Sequence, residues 1–183
     1  MKQYTEDHLI DTLRDCEAIR YGDFTLSSGK KSRYYIDIKK ATSIPKVLKL
    51  ISEMASAKIR SMQVDRIAGV ALGGVPLATA VSLITGYPLL LIRKSEKGYG
   101  TGGRFVGDVR KGETVVLIED VTTSGGSVID AVDVLRSEGV VVNTVVAVVD
   151  REEGAMESLR ARGIKLVPLV RASRILEKAA GKM

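Results

Sequence analysis

Two carboxylates that stand side by side, Glu119 and Asp120, follow the unbroken apolar run Val115-Val116-Leu117-Ile118 and precede Val121-Thr122-Thr123-Ser124-Gly125-Gly126-Ser127. Small and hydroxyl-bearing residues let backbone N–H groups close around an anion. A helical pattern of Val128, Ala131, Val132 and Leu135 begins directly afterwards, and the positive end of a helix favours the same anion. Acids beside a phosphate cradle repel its ligand, so they need a separate task. They can hold a divalent cation or accept hydrogen bonds from ribose hydroxyls. A substrate carrying a ribose and a phosphate, assisted by Mg²⁺, meets both requirements. The plainer alternative is a buried strand capped by a turn.

This segment resembles the signature of the type I phosphoribosyltransferases, in which an apolar strand, two acids and a Thr/Ser/Gly loop are contiguous. The resemblance implies that Val121, Thr122, Thr123, Ser124, Gly125, Gly126 and Ser127 bind the 5-phosphate of phosphoribosyl pyrophosphate (PRPP). It also implies that Glu119 and Asp120 contact the ribose hydroxyls and act in catalysis. Mg²⁺ is the implied cofactor, held mainly by PRPP rather than by protein ligands.

Further stretches extend the likeness from about Phe24 to Arg151. Phe24-Thr25-Leu26-Ser27-Ser28-Gly29-Lys30-Lys31-Ser32-Arg33-Tyr34-Tyr35-Ile36-Asp37 reads as a hairpin and resembles the N-terminal hood of orotate phosphoribosyltransferases. The family pattern then makes Tyr35 the ring that stacks on orotate. Ser27 stands where many members carry Lys, and Lys30 or Lys31 are the nearby charges. Gly73 and Gly74 lie in a tight βα turn that corresponds to the pyrophosphate loop. Members with Lys or Arg there add a side-chain charge, which Gly73 does not. The charged, glycine-rich stretch 93–104 matches the catalytic lid, with Arg93, Lys94, Lys97 and Tyr99 implied to bind PRPP and Lys97 to be catalytic. Tyr99 stands where bacterial members often have His. Thr123 and Arg151 are implied to bind orotate, for which a planar guanidinium suits a carboxylate-bearing base. The alternative for Arg151 is a salt bridge with Glu152 or Glu153.

Elements must hold these residues in place. Hydrophobic periodicity predicts helices over 5–19, 77–84, 157–162 and 172–178, with another led by Ser43 and Pro45 and buried through Val47, Leu48, Ile51, Ala55 and Ile59. Strands are expected over 66–70, 89–92, 115–118, 140–149 and 165–170, and Gly139 closes the helix after the phosphate loop. Gly98, Gly100 and Gly103 fit a dinucleotide-binding spacing, but they neither follow a strand directly nor open a helix. The element order predicts an α/β fold with a parallel sheet. The resemblance implies the type I phosphoribosyltransferase fold with a small N-terminal hood. One domain is expected over 1–183, with the N-terminal helix and hood hairpin in 1–40 and the α/β core in 41–183.

Composition narrows the classes. The chain has 183 residues and is 45% hydrophobic, enough for one full core. One cysteine, Cys16, and one histidine, His8, exclude an internal disulfide and the usual zinc sites. No apolar run reaches membrane-helix length, and no membrane partner is expected. The N-terminal residues lack the apolar core of a signal peptide, so the cytoplasm is the expected compartment. The net charge of +6 favours anionic partners, yet only 4% of residues are aromatic and no basic run interleaves with them, which argues against nucleic acid. The expected partners are PRPP, orotate and a second copy in a homodimer with shared sites. The competing readings are the same chemistry on uracil or a purine, and a regulatory RNA-binding protein on the same fold.

Overall fold

The computed structural model describes residues 4–25, 29, 31–93 and 104–180. Its centre is a six-stranded sheet in the order β5-β4-β3-β6-β7-β8. These strands are β3 (Arg66–Val70), β4 (Leu89–Ile92), β5 (Phe105–Val106), β6 (Thr114–Thr122), β7 (Val141–Asp150) and β8 (Lys165–Arg171). All neighbours are parallel except the short edge strand β5, which runs antiparallel to β4.

The continuous apolar runs follow from burial on both faces. Val116 and Ile118 of β6 join one core with α3 (Pro45–Ile59) and α4 (Gly74–Thr85), through Ile51, Ile59 and Leu77. Val115 and Leu117, pointing the opposite way, join a second core with α5 (Gly126–Ser137) and α6 (Ala155–Arg160), through Val132, Leu135 and Leu159. The remaining helices are α1 (Glu6–Asp15), α2 (Ile38–Thr42) and α7 (Ala172–Ala180). Among the described residues, no helix is long and apolar enough to cross a membrane.

The path from β3 through α4 leads to β4 on one side, whereas β6 leads through α5 to β7 on the other. Adjacent strands whose connections diverge leave a crevice at their carboxyl ends, where open α/β sheets place ligands. The turn with Gly73 and the acid-and-hydroxyl segment both emerge there.

A separate two-stranded sheet pairs β1 (Ile19–Thr25) with β2 (Lys31–Ile36) in antiparallel fashion. The expected helix over 5–19 is shorter than its pattern. Thr5 caps α1 by accepting from the His8 amide at 3.2 Å, and Glu17, with φ +55°, turns the chain so that Ile19 opens β1. Gly22 lies inside β1 at φ +151°, where the pairing register shifts between Tyr21 and Phe24.

Ser43 caps the far end of α2, not the start of α3, whose N-cap is Ile44. The helix expected over 77–84 starts earlier, at Gly74, because glycine lets the turn enter it directly. Strand β6 continues through the acids to Thr122, because β7 pairs with it as far as Thr122 opposite Asp150.

Gly69 marks a tight helix-on-sheet contact. A Cβ there would lie 2.7 Å from both the Ala78 Cβ and the Gly74 carbonyl oxygen. Gly69→Ala should therefore destabilise the protein by about 1–3 kcal/mol through overpacking. Denaturant melts compared with wild type check this, and unchanged stability would mean that α4 is free to move away from β3.

Candidate active site

Packing fixes the backbone of the site before any ligand arrives. Glu119 and Asp120 are each only 7% exposed, because β6 is covered on both faces and paired along both edges. The Glu119 Oε1 accepts from the Asp120 amide at 3.1 Å, and the Asp120 Oδ1 accepts from the Val121 amide at 2.8 Å. Two residues further along β6, Thr122 donates its hydroxyl to Asp150 Oδ1 at 3.0 Å, tying the ends of β6 and β7 together. The Thr123 carbonyl accepts from the Ala155 amide at 2.9 Å.

Gly125 then takes φ +87°, a conformation L-residues resist, and α5 starts with no side-chain cap. Its first-turn amides are open to an anion.

Across the crevice, the Ala71–Leu72 peptide is cis. A Cβ on Gly73 would overlap the Asp120 carboxylate, and one on Gly74 would come 2.5 Å from the Ile118 carbonyl oxygen. Both positions need glycine so that the turn can lie against the acids. Together Gly73, Glu119, Asp120 and residues 121–127 line a cavity of about 270 Å³.

Lys39, from α2, lines the same cavity, with its Nζ 2.8 Å from Asp120 Oδ2. The sequence reading missed it. Its helix has only five residues, too few to show a period, and Lys-Lys on a short surface element carries no signal of its own.

These contacts split the acids electrostatically. Burial, reinforced by the hydrogen bond to Asp120, pushes Glu119 from its ordinary 4.5 up to about 9. Burial acts the same way on Asp120, but the hydrogen bond from Glu119 and the Lys39 ammonium outweigh it and hold Asp120 below the usual range. The Lys39 ammonium is in turn raised by its bond to Asp120, against the opposing effect of burial. At neutral pH the pair therefore holds one proton on Glu119 and one charge on Asp120, and Lys39 faces that charge.

The residues expected to select a base lie alongside. Arg151 is buried, and its Nε donates to Glu153 Oε1 at 2.7 Å. The salt bridge considered as the alternative for Arg151 is thus present. Its guanidinium also lies 4.9 Å from the centre of the Tyr34 ring. Tyr35 is placed differently. Its ring sits 5.6 Å from Phe24 and 5.2 Å from the Arg20 guanidinium. Successive strand residues face opposite sides, so the hood ring set against Arg151 is that of Tyr34. Tyr34 and Arg151 line a cleft with Ser32 and Glu153. At the root of the stretch read as a lid, the Arg93 amide donates to the Arg104 carbonyl at 2.6 Å. Lys94, Lys97 and Tyr99 lie outside the described residues, as do Ser27 and Lys30.

The phosphoribosyl transferase domain family matches residues 37–166. An orotate phosphoribosyltransferase of Methanosarcina acetivorans is 60% identical over 172 residues, covering 94% of this chain and 92% of that one. The chain belongs to the orotate phosphoribosyltransferases. A second such enzyme, from Methanocaldococcus jannaschii, is 51% identical over 162 residues, covering 88% of this chain and 92% of its own. The crystal structure of orotate phosphoribosyltransferase from Aeropyrum pernix superposes with a TM-score of 0.85 at 35% identity, covering 94% of this chain and 98% of that one. The α/β fold read from the strand and helix order is thus the fold of this family.

The split acid pair has a consequence for stability. Between its ordinary 4.5 and about 9, Glu119 keeps a proton in the folded protein that the unfolded chain has released. Stability should therefore fall as pH rises through that window, with the loss complete above about 9. Asp120, shifted down, contributes a loss only in acid, below its ordinary 3.8. Without divalent cation or substrate, Glu119→Gln should flatten the decline between pH 6 and 8.5 (about the middle of the window). Chemical denaturation at both pH values measures it. Parallel slopes in the two proteins would mean that Glu119 is ionised throughout.

Proposed function

We propose that the chain transfers the phosphoribosyl group of PRPP to orotate, forming orotidine 5-monophosphate and pyrophosphate in pyrimidine biosynthesis. The observation that carries this reading is the cavity itself. A buried acid pair, an uncapped helix start and a side-chain-free turn converge on one crevice at the carboxyl ends of β3 and β6.

Each part has a role that its geometry suits. The amides of residues 123–127 cradle the 5-phosphate, where the start of α5 adds its dipole. Asp120 and Glu119 accept hydrogen bonds from the ribose hydroxyls, and the Asp120 carboxylate offsets the positive charge that develops on the ribose carbon as pyrophosphate departs. The amides beside Gly73 and Gly74 receive the pyrophosphate end. Arg93, Lys94 and Lys97 neutralise the leaving group, with Tyr99 on the same segment. Arg151, oriented by Glu153, meets the orotate carboxylate, beside the tyrosines of the hood.

Mg²⁺ fits this donor set. Among the described residues no group of three or more His, Cys, Asp or Glu side chains could hold a metal. A hard cation that binds through one or two carboxylates and substrate phosphates needs no such cage. When bound, it offsets charge on the pyrophosphate.

A homodimer completes the reading. The segment 93–104 brings charges that act only when they reach a pyrophosphate, and Leu72 and Leu83 expose large apolar surface, at 70% and 83%.

Offered PRPP and Mg²⁺ with orotate, uracil, hypoxanthine or adenine in parallel, the protein should consume orotate alone. Turnover of another base in preference to orotate would overturn the base assignment. Arg151→Ala should raise the KM for orotate at least tenfold, about 1.4 kcal/mol, and change the KM for PRPP far less. Equal changes in both would make Arg151 structural.

The shared-site reading has its own test. Lys97→Ala and Asp120→Asn homodimers should each lose at least tenfold in turnover. After subunit exchange, the mixture should recover up to about a quarter of wild-type activity, since half the dimers are mixed and each has one intact site. No recovery under conditions shown to exchange subunits would place Lys97 on its own subunit's site.

A further inference from the structure

Lys39 occupies a position the assigned roles leave unexplained. Its ammonium sits 2.8 Å from Asp120 Oδ2, on the carboxylate that the ribose hydroxyls need. Ribose and Lys39 therefore compete for Asp120, and the ammonium has to move when substrate enters. It is free to do so. The Lys39 side chain is 59% exposed, whereas that of Asp120 is 9% exposed and held by its own strand. A flexible four-carbon stem carries the charge over several ångströms without moving the backbone.

The destination follows from what else lines the cavity. Among the described residues lining it, Lys39 is the one basic side chain. The turn on the opposite wall supplies amides only. Position 73 has no room for a side chain, because a Cβ there would overlap the Asp120 carboxylate. The cation that faces this part of the cavity comes instead from α2, across Asp120.

A diphosphate held by the amides of the Gly73 turn, which abuts the Asp120 carboxylate, leaves Lys39 beside the largest negative charge in the cavity. The neighbouring Lys40 is different. Its Nζ pairs with Glu17 at 2.8 Å and does not line the cavity.

We propose that Lys39 is a diphosphate-binding residue. It neutralises Asp120 while the site is empty and moves to the diphosphate oxygens of PRPP when the ribose takes its place. This rests on the cavity being the PRPP site.

The test uses two ligands that share a ribose 5-phosphate but differ in the diphosphate. Binding of PRPP with Mg²⁺, and of orotidine 5-monophosphate, is measured by calorimetry for wild type, Lys39→Ala, Lys39→Arg and Lys40→Ala. Lys39→Ala should weaken PRPP at least tenfold. It should leave orotidine 5-monophosphate unchanged or bind it more tightly, because a competitor for Asp120 is gone. Lys39→Arg should stay within about threefold of wild type for PRPP by keeping the charge, and Lys40→Ala should match wild type for both ligands. Equal weakening of both ligands by Lys39→Ala would overturn the proposal and leave Lys39 a structural partner of Asp120. Unchanged PRPP affinity would overturn it as well. Wild-type protein that bound neither ligand would overturn the reading of the cavity, and the role of Lys39 with it.

Discussion

Everything at the carboxyl edge of the sheet depends on balancing charge between two buried carboxylates and an anion cradle. An unpaired carboxylate with the 7% exposure of Glu119 or Asp120 would cost several kcal/mol, and two would also repel each other and any phosphate. The structure meets this in two ways. Burial and the bond to Asp120 keep a proton on Glu119, and Lys39 stands against the charge left on Asp120. The pair with its lysine is therefore close to neutral, and an anion at the start of α5 does not meet a dianion. The same crowding explains the glycine turn, since the Asp120 carboxylate fills the space a side chain at position 73 would occupy.

This balance needs a scaffold that does not relax. The β6 strand is locked by cores on both faces, with alternate residues committed to each. Its pairing with β7 runs past the acids to Asp150, where the Thr122 hydroxyl closes the end. Acids on a flexible loop would rotate toward water and ionise independently. Acids inside a paired strand hold one proton between them and present one defined edge to the cavity, and interior packing density transmits that constraint to the cavity wall.

The sequence showed the features written in long apolar patterns and in contiguous chemistry. The runs of β3, β6 and β7 read as strands because they are buried on both sides, and the acid-and-hydroxyl segment was visible as one block. What it hid was set by tertiary contact. Two carboxylates look like the end of a strand, and only the reach of β7 shows that β6 goes on to Thr122. Ser43 before Pro45 looks like a helix start, and that signal masked the five-residue α2 and, with it, Lys39.

Tyr34 and Tyr35 show the same limit at the scale of one residue. Strand alternation puts the two rings on opposite faces, but the face turned toward the core depends on how the hairpin docks. Tyr34 packs against the first core and under the Arg151 guanidinium, while Tyr35 stays with Phe24 and Arg20 within the hood. Arg151 thus joins the hood to the end of β7 while Glu153 holds its Nε. A guanidinium pinned along one edge presents its remaining donors in a fixed plane. The placement of the Arg151 guanidinium is therefore not a property of the sheet edge alone. It depends on the two-stranded sheet staying seated on the six-stranded one, and the Tyr21 hydroxyl, donating to the Ile175 carbonyl at 3.4 Å, also ties the two-stranded sheet to α7.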